Sequence, residues 1–133
     1  MENNPTLLPV VAVALHDGEG RLLLQQRPAN KHHGGLWEFP GGKVESHESP
    51  RGALVREIRE ELALELDPAQ LFPSVFAEES GARHIVLFLY TSRQKVTAPR
   101  AVDGQRWGWF DKAEAGELAL APMDRDLLAR LSL

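Results

Sequence analysis

One stretch constrains this chain more than any other. From Ser49 to Leu62, an N-cap serine and a first-turn proline, Pro50, open a run with the 3.6-residue period of a helix. At 100° per residue, Leu54, Val55, Ile58 and Leu62 gather on one face. Glu57, Glu60 and Glu61 fall within about 100° of one another on a face roughly a third of a turn away. One side must pack; the other is carboxylate. Like charges at i, i+3 and i+4 repel by roughly 0.2–0.5 kcal/mol per exposed pair, and by more where water is excluded. Arg56 and Arg59 are one means of compensation. A hard divalent cation is the other, because Mg²⁺ takes oxygen ligands and keeps open positions for water or phosphate. Taken alone, the helix reads more simply as a solvated, salt-bridged surface.

The flanking residues change that reading. Gly41-Gly42-Lys43-Val44-Glu45-Ser46-His47-Glu48 puts a tight glycine turn and a further carboxylate just upstream, and an ordinary surface helix has no need of them. Glycine lets the backbone approach a charge closely, so the Gly41 carbonyl is a candidate ligand beside the carboxylates. Acid is concentrated here: Glu38, Glu45, Glu48, Glu57, Glu60, Glu61 and Glu65 stand against Lys43, Arg51, Arg56 and Arg59.

Composition narrows the classes. The chain has 133 residues, which suits one domain spanning 1–133 with one site. It is 43% apolar and 26% charged, the balance of a chain that folds. With no cysteine, disulfide scaffolds, thiol nucleophiles and Cys-built metal centres are excluded. Fifteen Lys and Arg against 19 Asp and Glu, a net charge of −4, disfavour wrapping of a nucleic acid polymer. Met1 to Pro5 lacks the basic residues and apolar run of an export signal, and no apolar stretch approaches the roughly 20 residues of a membrane span. A cytoplasmic location is the expectation.

Along the chain, Leu7–Leu15 and Arg21–Gln26 read as strands joined by Asp17-Gly18-Glu19-Gly20, an opening hairpin. Arg27–Gly35, with Pro28, Asn30, His32, His33 and two glycines, reads as an exposed loop. Leu71–Glu79, Arg83–Thr91 and Arg106–Phe110 are further strand candidates, and Asp124–Leu131 a closing helix. Strands on both sides of a central helix suggest an α/β sandwich with a mixed sheet between helices.

From Gly42 the sequence runs G-x5-E-x7-R-E-I-x-E-E-x-A-L, matched by Gly42, Glu48, Arg56, Glu57, Ile58, Glu60, Glu61 and Leu64. This closely resembles the signature of the Nudix hydrolases. With Leu36-Trp37-Glu38-Phe39-Pro40-Gly41-Gly42-Lys43 and the strand order, the similarity extends over nearly the whole chain, toward the MutT-like branch. One position departs: Ala63 stands where the family has glycine, which is expected to lengthen or reshape the last helical turn but removes no ligand.

The resemblance implies a Nudix-type α/β/α sandwich and a metal-dependent enzyme. Nudix enzymes hydrolyse a nucleoside diphosphate linked to another group. MutT-like members attack the β-phosphorus of a nucleoside triphosphate, releasing the monophosphate and pyrophosphate. Members that act on 8-oxo-dGTP clean the nucleotide pool for replication. Such chemistry asks for charge neutralisation and an in-line water rather than a covalent nucleophile. By this resemblance Glu57, Glu60 and Glu61 hold the metal with the Gly41 carbonyl, and Asp103 occupies the place of a late-loop glutamate near it. Mg²⁺ is the implied cofactor, with Mn²⁺ as substitute. Glu57 is the choice for the base that deprotonates water, with Glu48 a rival. Arg56 orients the glutamates by charge-assisted hydrogen bonds.

Arg27 and His32 sit where the branch places phosphate and ligand contacts, and Phe39 where an apolar wall borders the base. Plain surface charge, for Arg27 and His32, and ordinary core, for Phe39, are the competing readings. Asp124 aligns with the asparagine by which some members read oxidised guanine. Ionised aspartate only accepts, so it suits base N–H groups, including the exocyclic amine of cytosine. It equally fits a helix N-cap. Trp107 and Trp109 should share a strand face and pack in the core; His84 and His16 read as structural.

The expected substrate is 8-oxo-dGTP, with CTP or a modified pyrimidine triphosphate as the alternative. The partner is thus a small nucleotide rather than nucleic acid or membrane, and the enzyme a monomer or weak dimer. A non-catalytic nucleotide-binding module is a third reading, opposed by the retained glutamates.

Overall fold

The computed structural model describes residues 7–132. Met1 to Pro5, read above for an export signal, lies outside them. Among the described residues there are seven strands: β1 Leu7–Leu15, β2 Arg21–Gln26, β3 Trp37–Glu38, β4 Gly41–Lys43, β5 Phe72–Glu79, β6 His84–Ser92 and β7 Trp107–Asp111. The helices are α1 Pro50–Leu62, α2 Lys112–Gly116 and α3 Pro122–Arg130, with a 3-10 turn at Pro68–Gln70.

Strands β4-β1-β6-β5 form a mixed sheet, in which β1 and β6 run parallel and the other neighbours antiparallel. A second, antiparallel sheet has the order β3-β2-β7. The opening hairpin is therefore corrected. β1 and β2 belong to different sheets; beside the turn they are bridged at His16–Leu22, and otherwise they touch through side chains of the core. The turn does reverse the chain, but β1 is apolar on both faces and is taken into the middle of the larger sheet, as buried parallel strands are.

Alternation along β1 divides the core. Val11, Val13 and Leu15 face Ala53, Leu54, Ile58 and Leu62 of α1. Ala12 and Ala14 face the cluster of Leu127, Leu128 and Leu131. Side chains at i and i+2 share a face, so one strand serves two helical layers. The apolar face expected of α1 is the buried one. Trp107 and Trp109 pack together against the α1-side cluster, as their spacing of two predicts.

Ser49 caps α1, its hydroxyl accepting from Gly52 N–H at 3.0 Å. The helix is not lengthened at its other end. Ala63 turns left-handed, φ 56°, and donates its N–H to Arg59 C=O at 3.1 Å, so alanine takes the conformation usually left to glycine. The short α2 was not anticipated; a capping box between Asp111 and Glu114 defines it. Asp124 is not an N-cap. Ala121 holds that position, Asp124 lies one turn in, and Pro122 at N1 starts the helix without a side-chain cap. Among the described residues, no helix is long and apolar enough to cross a membrane.

Candidate active site

Strand β4 is short because it is built for approach. A Cβ on Gly42 would collide with the Glu57 carboxylate, and one on Gly41 with the Val11–Ala12 backbone of β1. Gly41 is thus a steric necessity, and a side chain at Gly42 would have to push the Glu57 carboxylate aside. The Gly42 backbone lies directly on the acid that the sequence places at the head of the helical face.

Arg56 ties that face together. Its Nε and Nη2 donate to Glu48 Oε2 and Oε1 at 2.5 and 2.8 Å, a two-pronged ion pair. Its Nη1 reaches Glu57 and Glu60 at 3.3 and 3.2 Å, and Nη2 also donates to Lys43 C=O at 3.1 Å. The orienting role expected of Arg56 has its geometry here. The guanidinium bonds beside Glu48 hold its carboxyl down at about 2. Glu60 is more than half exposed and lies at the edge of the group, paired with Arg56.

Glu61 points the other way, toward the sheet. Its Oε1 accepts from Gln25 Nε2 at 2.8 Å, and the same amide donates to Glu38 Oε2 at 3.1 Å. Gln25 Oε1 accepts from Gln105 Nε2 at 3.2 Å, which also donates to Glu61 C=O at 3.0 Å. Burial, with Glu38 and Glu57 close by, pushes the Glu61 carboxyl up to about 8. Burial likewise raises Glu38, opposed by Arg27 and reinforced by Glu57. These acids crowd a confined space with too little positive charge to offset them. A hard divalent cation fits that deficit and that oxygen-rich donor set.

Glu38, Gln25 and Gln105 were not predicted as site residues. Gln25 carried a signal: it is a polar residue in Arg21-Leu22-Leu23-Leu24-Gln25-Gln26, on the same face as Leu23, and it is only 4% exposed. Glu38 showed itself only as one acid among many.

The other predicted residues are placed as follows. Arg27 Nη1 pairs with Glu38 at 2.7 Å, while its Nε donates to His32 C=O at 2.6 Å. Arg27 therefore faces the acidic group. The His32 side chain is exposed. Phe39 is 2% exposed and belongs to the α3-side core. Its N–H donates to Asp124 Oδ2 at 2.9 Å, because Trp37 and the chain before α3 are stitched by Trp37 N–H to Ala119 C=O and Ala121 N–H to Trp37 C=O. Asp124 is 5% exposed; burial first, and Glu38 second, push its carboxyl up to about 7. Asp103 is exposed on a loop held against the C-terminal end of α1 by Val102 N–H to Glu61 C=O and Arg100 N–H to Leu62 C=O.

The signature helix, its glycine strand and the mixed sheet together match one family. A model of the NUDIX domain aligns with residues 6–131. The chain belongs to the Nudix family. This Nudix hydrolase is 42% identical over 118 residues to a CTP pyrophosphohydrolase of Escherichia coli K12, covering 89% of this chain and 87% of that protein. It is 39% identical over 83 residues to an 8-oxo-dGTP diphosphatase of Proteus vulgaris, covering 62% of this chain and 73% of that one. The crystal structure of a MutT NUDIX hydrolase from Burkholderia pseudomallei superposes on the Nudix chain with a TM-score of 0.84 at 25% identity, covering 96% of this chain and 100% of that one.

Proposed function

We propose that this Nudix hydrolase is a single-domain, divalent-metal-dependent nucleoside triphosphate pyrophosphohydrolase of the MutT type. On this reading it hydrolyses 8-oxo-dGTP to the monophosphate and pyrophosphate in the cytoplasm, keeping oxidised purine out of replication. The observation that carries the reaction class is the Glu57 carboxylate lying on the Gly42 backbone with half-buried Glu61 nearby, both backed by fixed donors. The 8-oxo-dGTP diphosphatase among the relatives supports the substrate.

The residues that would hold Mg²⁺ are Glu57, Glu60 and Glu61 with the Gly41 carbonyl, and Asp103 where its loop reaches them. Bound there, the ion would neutralise phosphate charge and acidify water. Water attacks the β-phosphorus, the bond from that phosphorus to the oxygen bridging it to the α-phosphorus breaks, and the nucleoside monophosphate leaves. Arg56 keeps Glu48, Glu57 and Glu60 in place. Glu48 is a poor base, because both its oxygens are committed to Arg56 and its proton affinity is low. That supports Glu57 as the group that takes the water's proton. Arg27, positioned beside Glu38, is the candidate phosphate contact, with His32 on the same loop; Phe39 and Asp124 form the base end.

A second reading, cytidine triphosphates, is favoured by Asp124 and by the CTP pyrophosphohydrolase relative. An ionised Asp124 accepts from the cytosine amine; a protonated one can donate to the guanine O6. A pKa of about 7 allows both forms near neutrality. Competition among 8-oxo-dGTP, dGTP, CTP and 5-methyl-dCTP, compared by kcat/KM, decides: the oxidised purine should lead, and a tenfold lead for CTP would transfer the assignment. Binding of every nucleotide without pyrophosphate release in Mg²⁺ would point instead to a non-catalytic module.

A further inference from the structure

A second cluster lies outside the acidic face of α1. His32 and His33 belong to the loop that follows β2, and Glu79 is the last residue of β5, paired with Ile85 across the sheet. One ligand atom from each of the three side chains lies within 4.8 Å of the others, the one such group of His, Asp and Glu among the described residues. The two imidazole rings are 3.9 Å apart between centroids. His33 Nε2 and Glu79 Oε2 approach to 3.7 Å, close for charges but too far for a hydrogen bond. Most telling, His33 Nε2 and Glu79 Oε1 are both buried and have no hydrogen-bond partner. Leaving such atoms unsatisfied is costly, and both belong to side chains of this cluster.

The loop does not need an ion to fold around this point. Lys31 N–H donates to Pro28 C=O, Gly35 N–H to Arg27 C=O and Leu36 N–H to His33 C=O, and the Gln26 amide donates to Gly35 C=O at 2.9 Å. The side chains are thus presented from a framework that closes by its own backbone.

We propose that His32, His33 and Glu79 bind a borderline divalent cation of the Zn²⁺ class, at a site distinct from the glutamates of α1. Two imidazoles and one carboxylate suit Zn²⁺, Co²⁺ or Ni²⁺, whereas Mg²⁺ prefers oxygen throughout. Ligand atoms of a tetrahedral Zn²⁺ site stand ~3.3 Å apart, so the three side chains close inward by roughly 1 Å when the ion enters. Water takes the fourth position. The ion would fasten the loop that carries Arg27 to the end of β5. An ion there would withdraw the His32 side chain from the phosphate-contact role named above and leave that role to Arg27; the proposal does not depend on which nucleotide the enzyme cleaves.

Zn²⁺ is added to the full chain in excess Mg²⁺, which keeps the α1 carboxylates occupied, and binding is followed by calorimetry for wild type, His33→Asn and Glu79→Gln. Asparagine tolerates the left-handed backbone of His33, φ 57°, so the fold is spared. Wild type should bind one Zn²⁺ that Mg²⁺ does not displace, and each variant should bind it at least tenfold more weakly. In wild type alone, Zn²⁺ should shift the ring resonances of His32 and His33 and leave those of His47 and His84 in place. Zn²⁺ uptake equal in all three proteins, none in excess Mg²⁺, or shifts at His47 or His84 instead, overturns the proposal.

Discussion

The Phe39 N–H donates to Asp124 Oδ2 at 2.9 Å, across 85 residues of chain. The contact fixes a buried acid beside β3, and its burial makes that acid a pH-dependent element of stability. Burial, with Glu38 nearby, raises its carboxyl from 3.8 to about 7. A folded-state pKa above the unfolded value means that this group favours folding most below about pH 4. The contribution is lost as pH rises toward 7, because the unfolded chain ionises freely while the folded chain must keep the proton or, above 7, hold an unfavourable buried charge. Asparagine keeps an acceptor for Phe39 and removes the titration. Asp124→Asn should therefore be more stabilising at pH 8 than at pH 4, by on the order of a few kcal/mol. Thermal unfolding of both proteins at both pH values measures it, and an equal difference at the two pH values refutes the account.

A Cβ at Gly42 would occupy the space of the Glu57 carboxylate, so a side chain there must push that flexible group aside. Gly42→Ala should displace that group and lower kcat/KM by about a hundredfold, the usual consequence of a shift near 1 Å at a reacting centre. The melting temperature should fall little by comparison. Unchanged turnover in Gly42→Ala would remove Glu57 from the chemistry.

Gln25 holds Glu38 and Glu61 by a single amide group. Gln25→Met keeps the shape and removes the donors. The Mg²⁺ concentration for half-maximal rate should rise about tenfold, with kcat reduced between tenfold and a hundredfold, as for other residues that orient metal-binding carboxylates. A purely structural role would lower the unfolding temperature and leave the Mg²⁺ dependence alone.

Ala63 holds a left-handed conformation that glycine enters freely. Ala63→Gly relieves the steric cost but loosens the unfolded chain, for a net gain of about 0.5–1 kcal/mol. Urea unfolding checks the sign, and activity should be unchanged. A loss of stability would show that the αL cap is not strained.

Acid at position 61 was legible as a carboxylate on a helical face, but not as a half-buried one bonded into the sheet. Glu61 is partly covered because β2 and the Gln105 loop close over the end of α1, and neither is near it in sequence. The same holds for Asp124. Its place in α3 could be read approximately, whereas its partner Phe39 could not, since the pairing depends on Trp37 being stitched to the chain before α3.

Local rules alone determined the five longer strands, the span of α1 and its acidic face, because periodicity, capping and charge spacing act over a few residues; Gly41–Lys43, expected as a tight turn, is instead strand β4, since it pairs with the distant β1. The family followed from the same segment. Only tertiary structure decided that β1 leaves its hairpin partner for the centre of another sheet, that Gln25 and Glu38 enter the site, and that His33 meets Glu79. Those outcomes rest on burial and on pairing between distant segments, where the free energy belongs to the assembled layers and to no single stretch of chain.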